Sequence, residues 1–157
     1  MKIQYLNIYN NLIKLTRNKL LMSKIANVDS FSDRLIVFLF HFAFFLREYK
    51  NDINREELQK VYDFIFKQID ISIREIGYGD MSINKKMKNY INLFHSILLK
   101  IENWHNLNDE EKSSILQNSI NENIDSQYFI KYFDDFRSFL INNTFNSFTK
   151  DIIEFKN

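Results

Sequence analysis

The side chains that could do chemistry are few, and their spacing limits what that chemistry could be. His41, His95 and His105 are the only three imidazoles, and the chain has no cysteine. No two histidines stand four apart, the interval at which one helix offers two metal ligands. His41 lies between Phe40 and Phe42 in an apolar run, which reads as a hydrogen-bonded core or groove histidine. A catalytic role for it would need a nucleophile or acid partner that the sequence does not offer. Asp63 and Asp70 fall two turns apart on one helix face, yet no second acidic helix supplies matching Glu or His ligands. The serines come without a nucleophile elbow or a His–acid order. Without cysteine there is no thiolate site, no cysteine nucleophile and no disulfide framework. Neither a catalytic set nor a cofactor or metal is expected.

A second group of polar and glycine residues runs from Phe64 to Lys88, FIFKQIDISIREIGYGDMSINKKMK. It holds Asp70, Arg74, Glu75, Gly77, Gly79, Asp80, Lys85, Lys86 and Lys88. Gly77 and Gly79 are the only two glycines in a chain without proline. Gly77 is predicted to end one helix, because glycine tolerates the left-handed conformation of a C-cap. Asp80 or Ser82 is predicted to cap the next. Such a corner could be scaffold and nothing more, with the lysines as a solvated face. Taken together, exposed glycines, a helix N-terminus and three lysines suit a locally positive docking corner for another polypeptide. A phosphate-binding loop is disfavoured, since the G-x-x-x-x-G-K-[ST] spacing is absent and G-x-G alone is a weak signal.

The elements that position these residues read as helices throughout. The chain has 157 residues, 45% hydrophobic and 16% aromatic, with a formal net charge of +1. That length fits one domain, able to bury about 68–70% of its unfolded surface without disulfide or metal. Tyr5, Ile8, Leu12, Leu15 and Leu20 mark a first helix. A turn at 27–30 follows, with Asp29 or Ser30 as a cap, then a second helix from about Phe31 to Tyr49 that is apolar on nearly every face. Such a helix must be surrounded by neighbours, and any part left uncovered would form a groove for a client helix. Asn54 is expected to cap a third helix reaching about Ile76. Ile83, Met87, Tyr90, Ile91, Phe94, Leu98 and Ile101 give a fourth its apolar face. Shorter helices are predicted at about 109–121 and 126–142, with a helical tail to about Phe155. The expected fold is all-α, a compact bundle of about six or seven helices over 1–157. The run Leu35–Leu46 falls short of the roughly 20 residues that span a bilayer. The start of the chain does not read as a signal peptide. A soluble, cytoplasmic protein is expected, able to touch a membrane surface.

Two segments resemble the ubiquinol–cytochrome c chaperone family. In Phe64–Lys88 the resemblance lies in Asp70 on an aromatic-rich helix, the R-E-hydrophobic-G-x-G-D order of Arg74, Glu75, Gly77, Gly79 and Asp80, then Ser82 and the lysines. In Val28–Arg47 it lies in Asp29, Ser30, Arg34, His41 and Arg47. It spans about 28–100. It departs at Leu35 and Ile36, where the family has Phe and an acidic residue, and at Phe94-His95-Ser96-Ile97, where the family often has Gly-Arg. The resemblance implies an assembly chaperone for ubiquinol–cytochrome c reductase that holds immature cytochrome b, or another respiratory-complex subunit, by protein contacts. It would sit in the cytoplasm, within reach of the inner face of the membrane, or in a mitochondrial equivalent. Partner-binding residues would then be Asp29, Arg34, His41, Arg47, Asp70, Arg74, Glu75, Gly77, Gly79, Asp80, Lys85, Lys86 and Lys88. The alternative is a generic helical adaptor or a ribosome- or RNA-binding module using the lysines, against which the near-zero net charge argues. A small helical enzyme or lipid-binding protein is a further rival, for which the sequence gives no ligand set.

Overall fold

The computed structural model describes residues 2–25, 31–77 and 79–156, the side chains of Lys2, Ile3 and Asp80 apart. Within them lie eight α-helices and a 3-10 turn, and no strand. The helices are α1 (Lys2–Thr16), α2 (Lys19–Met22), α3 (Phe31–Tyr49), α4 (Arg55–Glu75), α5 (Asp80–Ile101), α6 (Asp109–Ser119), α7 (Ser126–Ile141) and α8 (Phe145–Lys150), with the 3-10 turn at Trp104–Asn106.

The apolar second helix of the sequence is α3, and it lies at the centre, against α1, α5 and α7. Every side chain from Leu35 to Leu46 is buried. Three aromatic pairs fasten it to different neighbours. Phe42 stacks on Phe94 of α5 with ring centres 5.0 Å apart, Phe44 on Phe133 of α7 at 5.1 Å, and Phe45 meets Phe148 of α8 edge-on at 5.0 Å. Each such pair contributes about 0.5–1.5 kcal/mol beyond the area it buries. The helix is apolar all round because helices cover it all round.

Local signals set most helix starts. Asn54 accepts a hydrogen bond from the Glu57 N–H at 2.7 Å, so α4 begins where its cap predicts. Asn108 and Glu111 close a reciprocal capping box on α6, satisfying two orphan donors at once. Three expectations are corrected. The first helical stretch breaks after Thr16, and Asn18 caps a separate α2. Gly79, not Asp80 or Ser82, is the N-cap of α5, and it offers no side-chain hydrogen bond. The tail is helical only to Lys150; residues 151–156 leave the helix.

The tail departs because α1 offers its backbone better partners than another helical turn would. The Asn11 side chain, itself buried, donates to the carbonyls of Phe148 at 3.0 Å and Asp151 at 2.9 Å. Its own carbonyl accepts from the Ile153 N–H at 3.0 Å. Asn7 donates to the Thr149 carbonyl, and Lys14 to that of Ile153. Removing a buried amide leaves such groups without partners, which costs about 1–3 kcal/mol. Asn11→Ala is therefore expected to lower urea-unfolding stability by about that amount and to accelerate hydrogen exchange at Ile153. Asn7→Ala, with one such bond to lose, should do less.

Candidate functional site

The corner between α4 and α5 is built on two buried anchors. Ile73 is 0% exposed and Ile83 1% exposed, and they tie the two helix ends to the core. Between them the chain turns. The Gly77 N–H donates to the Arg74 carbonyl at 3.0 Å with φ at +98°, a conformation that side chains resist. A Cβ on Gly77 would meet nothing within 4 Å, so the demand for glycine comes from the backbone alone. Gly79 is extended, and its carbonyl accepts the first bond of α5, from Ile83.

What projects from this base is both charged and apolar. Ile76 is 47% exposed and Met81 89% exposed, on either side of the glycines. Glu75, Lys85 and Lys88 are exposed, and Lys86 is half-buried. Asp70 and Arg74 form an ion pair at 2.5 Å one helical turn apart, each still partly in solvent. Asp80 opens α5, and its side chain lies outside the described set.

A groove of about 290 Å³ opens between α1, α3 and α4. Tyr9, Ile13, Phe31, Phe38 and Ile69 supply apolar walls, with Arg17 and Arg34 beside them. Two of the hydroxyls there are already committed. Thr16 donates to the Leu12 carbonyl and Ser72 to that of Gln68, both at 3.0 Å. The groove forms at the start of α3 rather than along its covered middle. On α4 the positions Ile69, Ser72, Ile73 and Ile76 share one helix stripe, so the groove's wall leads to the corner. The Tyr90 hydroxyl donates to Ser32 at 3.2 Å, holding α5 to the first turn of α3.

Two residues expected at a partner surface lie elsewhere. His41 is 0% exposed. Its Nδ1 stands 2.8 Å from the Val37 carbonyl and its Nε2 2.6 Å from the Tyr132 hydroxyl. A carbonyl only accepts, so Nδ1 carries the proton and Tyr132 donates to Nε2. Burial lowers the pKa to about 4. The same burial raises the Tyr132 phenol, so both groups stay neutral. Those bonds make His41 a core residue, so a direct partner contact is corrected to an internal one. Arg47 points inward along the protein surface, its side chain 14% exposed. Its guanidinium donates twice to the Glu102 carbonyl, at 2.8 and 2.5 Å, which caps the C-terminal end of α5 with a cation. Lys50 bonds to the Glu102 carboxylate at 2.9 Å and holds its pKa below the ordinary range. Asp29 lies outside the described residues.

The structure thus brings Asp70, Arg74, Glu75, Gly77, Gly79 and the lysines to one corner and puts Arg34 in the adjacent groove. Sequence reasoning missed Arg17, Ile76 and Met81. The last two carried a signal, since apolar residues flanking a glycine turn have nothing local to bury them. Arg17 carried none, because only the packing of α1 on α3 and α4 places it. Among the described residues, no group of three or more potential metal ligands gathers, and no helix is long and apolar enough to cross a membrane.

The model of the family described as Ubiquinol-cytochrome C chaperone matches residues 23–133, well over half of the chain. The match takes in the corner, the α3 and α4 walls of the groove, α6 and half of α7. It extends beyond the 28–100 span of the resemblance at both ends. No curated protein and no solved structure matches the chain.

Proposed function

The chain belongs to the ubiquinol–cytochrome C chaperone family, and from that membership, which implies a role in assembling the cytochrome bc1 complex, we propose that it holds an immature subunit of that complex. By the family resemblance the subunit is cytochrome b. The contact is made through the corner around Gly77 and Gly79, and the work is binding rather than bond making. One observation carries this reading: Ile76 and Met81 stand exposed beside Lys85 and Lys88 on a base fixed by buried Ile73 and Ile83. Exposed apolar side chains rimmed by charge are what a protein interface buries at its centre and keeps wet at its edge.

The test is affinity capture from cells making the respiratory complex. The triple variant Met81→Glu, Lys85→Glu, Lys88→Glu alters only solvent-facing groups, so helicity and melting temperature should match the unaltered protein. Recovery of newly made cytochrome b should fall at least about tenfold, since central contacts of an interface often cost more than 2 kcal/mol when lost. Undiminished recovery would remove the corner from the binding surface. Recovery of RNA in place of the subunit, falling steeply with salt, would replace this reading with an adaptor role.

A further inference from the structure

We propose that the groove between α1, α3 and α4 receives an acidic amphipathic helix of the bound polypeptide, its apolar face in the groove and its carboxylates on Arg17 and Arg34. This rests on the reading that the protein binds another polypeptide, and it names the kind of segment recognised. The groove's apolar wall is Tyr9, Ile13, Phe31, Phe38 and Ile69. Among the described residues its charged members are both cations, and no carboxylate lines it. The exposed guanidinium groups of Arg17 and Arg34 make no ion pair among the described residues. Thr16 and Ser72 spend their hydroxyl protons on their own helices, so the guanidiniums, with the Tyr9 hydroxyl, supply the groove's side-chain donors, and only the guanidiniums are charged. An occupant must bring acceptors, and bidentate carboxylates fit a guanidinium best. A helix suits the shape because the α4 stripe continues from Ile69 and Ser72 out to Ile76, which is 47% exposed at the corner. That path is longer than a single side chain would fill, and helix-in-groove recognition uses anchors at this spacing.

The test uses a designed helical peptide with leucines at i, i+3, i+4 and i+7 flanked by glutamates, and its counterpart with lysines in their place. By titration calorimetry with the full chain, the glutamate peptide should bind at least about tenfold more tightly, the factor that two exposed charge pairs can supply. The double variant Arg17→Glu, Arg34→Glu should reverse the preference. Equal binding of both peptides, or an unreversed preference, would overturn the proposal. So would binding of phosphatidylglycerol vesicles at the arginines with no peptide binding, which would make the groove an anionic-lipid site. The same double variant, run in the cytochrome b capture experiment, separates this inference from the one it rests on. If the subunit is recovered by both proteins alike, the groove is not its seat and the chaperone reading stands. If the unaltered protein recovers no subunit while the glutamate peptide still binds and reverses, the chaperone reading is what fails.

Discussion

Phe133→Ala should lower the free energy of unfolding by about 3–5 kcal/mol, the range for deleting a buried aromatic ring. Phe133 is fully buried on α7, and its ring joins several others. Ring centres lie 5.1 Å from Phe44, stacked at 15°, 5.6 Å from Phe40 and 5.4 Å from His41. Deleting it removes the transfer energy of the ring and also leaves a void that helices fixed on either side close only in part. Against a total stability of about 5–15 kcal/mol for a domain, this is a large fraction. Phe133→Leu keeps most of the volume and should cost far less. Urea unfolding of the two variants checks both statements. A loss below about 1 kcal/mol for the alanine would mean that α7 does not pack on α3 as described.

The second large effect is on acid stability, and it comes from His41. Its ordinary pKa of 6.5 falls to about 4 in the folded protein because burial penalises the charged ring. Above pH 6.5 both folded and unfolded chains carry the neutral imidazole, so this group contributes no pH dependence. Between about 6.5 and 4 the unfolded chain takes up a proton that the folded one refuses. The unfolded state then binds more protons, and stability falls as pH falls. The slope is about 1.4 kcal/mol per pH unit and the loss about 3 kcal/mol in all. Protonation would also turn Nε2 into a donor facing the Tyr132 hydroxyl that now donates to it. His41→Gln keeps a neutral hydrogen-bonding side chain but no titration. The difference between its unfolding free energy and that of the unaltered protein, followed from pH 7 to 4, should show the slope of one proton. Identical slopes would show that His41 does not titrate on unfolding.

Features encoded by near neighbours in the chain were legible before the structure. The bounds of α3 follow from an apolar run beginning after polar 27–30 and ending at a polar break. Asn54 starts α4, and Gly77 ends it, each through contacts within four residues. What sequence reasoning missed depends on distant partners. His41 is fixed by Tyr132, 91 positions away. Arg47 is drawn to the end of α5 by a carbonyl 55 positions away. Neither pairing leaves a trace in local spacing, so spacing reads His41 as a core or groove histidine without naming its partner, and only the family resemblance puts both residues at a partner surface. Gly79 as the cap of α5 shows a weaker local rule losing, since Asp80 and Ser82 are better capping side chains but the helix starts before them. The groove required three helices at once, and its Arg17 could be named only after they had packed.

The seam between α1 and the tail has a consequence for how the molecule is made. Asn11 bonds to Ile153, 142 positions later, so α1 waits for residues synthesised long after it before its amide is satisfied. A nascent chain can dock α1 on α3 well before that, but the side facing the tail stays open to water. Translation through Ile153 therefore acts as a latch. A product released early would carry an unclosed edge by which proteases could tell it from a finished molecule.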